Sequence, residues 1–264
     1  MQEPDDSLDL LRGATLIARH RHPLLRHEDA VDQLDDLAVQ IEGRMPGAAY
    51  PLRMLQTISR HLRERGFRGN SGDYYDPDNS CINRVLERRT GIPITLSLVY
   101  MEVAKRLGLP MVGVNIPGHF FITPANPEME FLVDAFDGGE ISFLQDAEAT
   151  LTNIYKRPVQ LDPAFLSRKQ PVPPRVFLAR MLNNLKQIYN LRRNYADAYA
   201  VSCYLRATRP GDLDELRDSG VYLYQLGRYP ECVEALTEFL ARSPADSEDA
   251  EKVRALLRSL DQRS

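Results

Sequence analysis

The spacing of apolar residues changes period along the chain. Over residues 5–65, Leu8, Leu11 and Ile17, then Val31, Leu34, Leu37, Val39 and Ile41, recur near every 3.6 residues among acids and arginines, the mark of amphipathic helices. Leu52, Leu55, Ile58 and Leu62 share one face of a further helix that runs to Arg65, with Gly66 as its stop. The stretch from Gly66 to Asn79 is rich in turn residues, and Asn79 or Ser80 is placed to cap a short helix over Cys81–Arg89 that ends at Gly91. Pro93 suits the first turn of the next helix. From Ile94 to Leu107 the sequence ITLSLVYMEVAKRL is apolar on almost every side, which predicts a helix buried within its domain.

Past Gly108-Leu109-Pro110 the period drops to two. Val112, Val114 and Ile116 alternate in a first predicted strand, Gly118–Thr123 makes a second and Phe131–Ala135 a third, followed by a turn at Asp137-Gly138-Gly139. Pro171-Val172-Pro173-Pro174 reads as a stiff linker between a first domain, 1–170, and a second, 175–264. In the second, Tyr195, Ala198 and Pro210 return as Tyr229, Cys232 and Pro244, each 34 residues later. That is the tetratricopeptide period, in which each unit is a pair of antiparallel helices. Leu226-Gly227-Arg228-Tyr229 supplies an inter-helix turn, and Ser247–Leu260 a capping helix.

Charge narrows the partners. There are 33 Lys+Arg against 37 Asp+Glu, a net charge of −4, which argues against nucleic acid. A membrane is not expected either: the uncharged run Leu107–Pro127 holds four prolines, and the acidic start MQEPDDSLDLLRG is no signal peptide. The three cysteines, Cys81, Cys203 and Cys232, lack disulfide or zinc spacing and fit a reducing cytoplasm. With no glycine-rich phosphate loop, GxSxG, HExxH or CxxC, neither cofactor nor metal is expected. The histidines from His20 to His27 read as a solvated helix junction, with metal or phosphate binding as the alternative.

Candidate chemistry gathers on the strands. If the second and third pair as a hairpin with 121 opposite 132, then His119 lies opposite Asp134, and the carboxylate can fix and charge-stabilise the imidazole. A slip of one residue would part them. Cys81, in the first turn of its predicted helix, gains from the helix dipole as a thiolate, or is simply a small buried residue. Thr95 and Ser97 are the hydroxyls near the start of the buried helix. Glu102 needs a partner on so apolar a helix, expected from an arginine of the preceding helix. Tyr74-Tyr75-Asp76-Pro77 is either a packed turn or the mouth of a cleft.

The segment NSCINRVLERRTGIPITLSLVYMEVAKRLGLPMVGVNIPGHFFI, with FLVDAFDGG after it, resembles the bacterial transglutaminase-like family that carries C-terminal tetratricopeptide repeats. That family is sometimes named after an enteric regulator of invasion-gene expression, and the likeness extends over nearly the whole chain. It implies an α+β fold: a papain/transglutaminase-like core, with a buried helix on an antiparallel sheet and helices before it, followed by an all-α repeat domain. In active relatives a cysteine opens the buried helix, a histidine sits on a following strand and an aspartate on the next. His119 and Asp134 resemble the last two. The cysteine's place falls near Pro93, which cannot attack a carbonyl.

Two functions follow as expectations. One is a degenerate, non-catalytic protein that binds a peptide or protein partner through its cleft, its repeats or both. The other is a thiol-dependent amidase, peptidase or acyltransferase using Cys81, or Thr95, with His119 and Asp134. A regulator acting by direct DNA contact has no motif behind it. Oligomeric state is open.

Overall fold

A computed structural model describes residues 8–47, 49–116, 119–126, 128–129, 131–160 and 172–261. The chain divides into two compact units, 1–181 and 182–264.

The first unit opens with α1 (Leu10–Arg19), α2 (His27–Glu42) and α3 (Pro51–Glu64). Asp9 caps α1 by accepting from the Arg12 N–H at 2.9 Å. Although Val39, counted in the α2 stripe, is exposed, most of the apolar stripes read from the sequence face inward, with Leu34 and Ile41 of α2 and Leu55 and Ile58 of α3 fully buried. Each such side chain contributes about 1.5–3 kcal/mol of burial. A two-residue parallel pair, β1 (Arg68–Gly69) with β2 (Thr90–Gly91), brackets a 3-10 turn at Pro77–Ser80 and α4 (Ile82–Arg88). Cys81 is not in the first turn of α4 but at its extended N-cap, because the 3-10 turn ends on it.

The buried helix is α5 (Pro93–Arg106). Pro93 takes the first helical position, and Thr95 Oγ1 accepts the otherwise unpaired Ile92 N–H at 3.2 Å. Lys105 and Arg106 sit in its last turn, where cations suit the dipole. Glu102 finds its arginine on its own helix rather than on the preceding one: Arg106 donates to it at 2.6 Å and also to Asp35 of α2 at 2.5 Å.

α5 packs against β3 (Met111–Ile116) and β4 (His119–Pro124), and also touches α2, α3 and α4. With β5 (Leu132–Asp134) and β6 (Glu140–Ser142) these strands form an antiparallel sheet in the order β3-β4-β5-β6. The short β6 was not read from the sequence, and the predicted strand start at Gly118 lies outside the described residues. The register of β4 on β5 pairs Ile122 with Val133, two residues from the one assumed. A shift of two leaves every side chain on its original face. α6 (Leu144–Tyr155) follows, and Pro174 opens α7 (Pro174–Leu191). Pro171, the first residue of the expected linker, lies outside the described residues.

In the second unit the 34-residue repeat becomes helices in step. α8 (Tyr195–Thr208) and α10 (Tyr229–Arg242) begin on the repeated tyrosines, α9 (Leu213–Gln225) lies between them, and α11 (Glu248–Asp261) is the terminal helix. Ala198 and Cys232, the small repeat positions, are fully buried. Gly220 of α9 is needed for close approach, since a Cβ there would meet the Leu236 side chain at 2.4 Å. Leu216, Leu236, Phe239, Val253 and Leu260 complete one core. The buried Glu215 carboxylate is satisfied by Lys186 at 2.5 Å and Ser202 at 2.9 Å.

Candidate functional site

A cleft of about 1430 Å³ in the first unit brings together α3, β1, the start of α5, β4 and the turn from β5 into β6. His119 and Asp134 both line it and are nearly buried. Their side chains meet, His119 Nε2 to Asp134 Oδ2, at 2.8 Å. The contact is diagonal across the sheet, because the two-residue register shift kept both on one face. Asp134 Oδ1 accepts the backbone N–H groups of Phe136 at 2.9 Å and Asp137 at 3.2 Å, so both its oxygens are engaged. An ionised carboxylate only accepts, which places the proton of a neutral His119 ring on Nε2 and leaves Nδ1 as the basic nitrogen. Arg180 of α7 anchors the strand start by donating to the His119 carbonyl at 2.7 Å.

Aromatic rings wall the imidazole. Phe121 lies 4.6 Å from it and Phe136 6.4 Å, and Tyr74 stands edge-on to Phe136 at 6.2 Å. Tyr74 thus lines the cleft, as the cleft-mouth alternative anticipated. Phe136 fits because β1 carries Gly69: a Cβ there would sit 2.5 Å from its ring. Arg60, Arg63 and Arg68 add a basic border. The sequence reading did not single them out. Their signal was available in the 3,4,3 spacing of Arg53, Gln56, Arg60 and Arg63.

The nucleophile candidates lie elsewhere. Pro93 lines the cleft at the first position of α5, whereas neither Cys81, Thr95 nor Ser97 does. Cys81 is fully buried, with its thiol directed to the Pro77 carbonyl at 3.6 Å. Burial, and then the adjacent Asp78 charge, push that thiol up to about 12, the opposite of the depression its predicted helical position implied. The Thr95 hydroxyl donates to the Asn79 carbonyl at 2.7 Å while accepting from the Ile92 N–H, which commits its proton to the backbone. Ser97 is wholly buried in α5.

One group among the described residues, His22, Asp78 and Cys81, brings three metal-ligating atoms within 4.8 Å of one another. Asp78 is already shared by Arg21 and Arg84 at 3.2 Å, with Arg88 at 3.7 Å. Burial pushes its carboxyl up, but the hydrogen bonds and charges of Arg21 and Arg84 outweigh this and hold it below the ordinary carboxylate range. The guanidiniums supply the positive charge a cation would bring, so this is an ion-pair node that ties the α1–α2 junction to α4. No described helix is long and apolar enough to cross a membrane.

Comparison with known proteins agrees with this architecture. Residues 28–183 match the transglutaminase-like superfamily and residues 185–258 the tetratricopeptide repeat. A "UPF0162 protein" of Xylella fastidiosa is 32% identical over 246 residues, spanning 91% of this chain and 86% of that protein. UPF0162 protein PA3419 of Pseudomonas aeruginosa is 32% identical over 69% of this chain and 65% of its own. Human F-box only protein 21 is 31% identical over 52% of this chain, but over only 26% of its own length. No solved structure matches. With a buried helix on an antiparallel sheet, a histidine–aspartate pair in its cleft and a repeat unit after it, the chain belongs to the transglutaminase-like superfamily and groups with its UPF0162 proteins.

Proposed function

We propose that the first unit is a peptide-binding cleft that has lost thiol chemistry, and that the repeat unit adds a protein-binding surface. The observation that carries this reading is Pro93, a ring without a nucleophile, at the start of α5 in the same cleft as His119 and Asp134. In the active relatives that the sequence resembles, a cysteine opens that helix. The buried and protonated Cys81, and the buried Thr95 with its proton committed to the Asn79 carbonyl, offer no replacement in the cleft. His119 and Asp134 then serve recognition, Nδ1 accepting a hydrogen bond from a ligand N–H or O–H.

The test is alkylation of Cys81 across pH, followed by mass spectrometry, in the wild type and in His119→Ala. The expected outcome is an inert Cys81 in both native proteins, reacting only after denaturation. Labelling at pH 6 that vanishes in His119→Ala would overturn the reading.

The His119–Asp134 hydrogen bond supports a second reading, a hydrolase or acyltransferase of protein amide or thioester bonds with Nδ1 as general base. It requires acyl-transfer or amide-hydrolysis activity in the full chain that His119→Ala abolishes. No loss in His119→Ala would assign such activity elsewhere.

A further inference from the structure

α3 carries a line of exposed arginines, two of which, Arg60 and Arg63, border the cleft. Arg53, Gln56, Arg60 and Arg63 follow one another at helical spacing and are all exposed. Arg68 on β1 lines the same cleft. Arg63 is partly committed, donating to the Gly138 carbonyl at 3.1 Å, and Glu64 beside it is taken by Arg44 at 2.8 Å. Arg53, Arg60 and Arg68 have no carboxylate partner among the described residues. Such a stripe stands out in a chain of net charge −4.

The cleft is not basic throughout. Four carboxylates also line it: Glu64, taken by Arg44, Asp134, taken by His119, and Asp137 and Glu140 from the turn into β6. A strand charged on every side, such as a nucleic acid, would press phosphates onto those carboxyls as well as onto the arginines. A peptide with carboxylates along one edge meets the arginines and turns its other edge away. Its apolar side chains have the faces of Phe136 and Tyr74 to lie on.

Resting on the reading of the first unit as a peptide cleft, we infer that its ligand is an acidic peptide segment whose carboxylates are held by Arg60 and Arg68, with Arg63 on the same cleft wall. Guanidinium forks match carboxylates bidentately, which gives selection as well as attraction. Exposed pairs are individually weak, so selectivity comes from several acting together and fades with salt.

The experiment is fluorescence anisotropy with the full chain and labelled peptides of one alternating frame, bearing Glu, Gln or Lys at the variable positions. A single-stranded DNA oligonucleotide of equal charge is added as a fourth probe. The Glu peptide is expected to bind about tenfold tighter than the Gln peptide at low salt, the gap closing as salt is raised. The double variant Arg60→Glu/Arg68→Glu should reverse the order in favour of the Lys peptide, and Arg60→Gln/Arg68→Gln should erase it. Both sites are exposed, so thermal melts should match the wild type. Equal binding of Glu and Gln peptides overturns acidic selection and leaves the peptide cleft standing. Failure of every peptide to bind removes both. Tighter binding of the oligonucleotide, lost in the Gln double variant, would replace the peptide by a nucleic acid.

Discussion

Two helix starts in the first unit divide between them what a thiol enzyme needs in one place. At α4 there is a cysteine, but its surroundings are Asp78, the Pro77 carbonyl and a sealed core, all of which favour the protonated thiol. At α5 there is an imidazole with its carboxylate partner, a basic nitrogen and an open cleft, but the helix begins on proline. Both ends have the dipole that lowers a thiol pKa in principle. The difference teaches that desolvation and a neighbouring anion outweigh a short helix's dipole, and that a list of reactive residue types says nothing until their positions are known.

The most forceful way to break this comparison is to put the thiol where the base is. Pro93→Cys is expected to raise alkylation at pH 6 by about 100-fold over the wild type, as thiols paired with a histidine at a helix start do. The gain should disappear in Pro93→Cys/His119→Ala. An introduced thiol that reacts no faster than a free one would place the imidazole out of reach of the helix start.

A smaller effect sharpens the assignment of Thr95. Thr95→Val removes the hydroxyl that caps Ile92 and reaches the Asn79 carbonyl, and is expected to cost about 1–3 kcal/mol in denaturant unfolding. Thr95→Ser should recover most of it. Unchanged stability in Thr95→Val would free the hydroxyl for chemistry after all.

The smallest effect concerns His61, buried on α3, whose ring nitrogens have no partner among the described residues. Burial, then the charges of Arg44 and Arg65, hold its imidazole below the ordinary range. The unfolded chain therefore binds a proton from about pH 6.5 downward that the folded chain refuses. Stability should fall as pH drops from there toward the folded value, and then level off. His61→Leu should flatten that slope in urea titrations across the range, and a slope unaltered by the substitution would assign it to other groups.

These residues also show how far the sequence could be read. Helix faces were legible because apolar spacing and burial obey the same geometry: Leu55 and Ile58 pointed inward as their period required. The repeat was legible because period and proline position mark helix ends directly. The β4–β5 register was not, since the turn that sets it has no two-residue hairpin signature, yet the His119–Asp134 contact survived because only odd slips change faces. Cys81 was misplaced by a single position, but it is burial and the neighbouring Asp78 charge that keep its thiol protonated, and neither is written in the local sequence pattern. Arg60 and Arg68 went unremarked because an exposed charge is the ordinary case on a helix or at a short strand, and only the folded cleft shows which exposed face borders a cavity.

Asp134 has a consequence that reaches past any chemistry in the cleft. One of its oxygens holds His119, while the other ties down the Phe136 and Asp137 amides at the start of the turn into β6. Replacing this carboxylate would therefore disturb a folded turn as well as remove the imidazole's partner, so the fold itself has a use for the pair whether or not it serves a reaction.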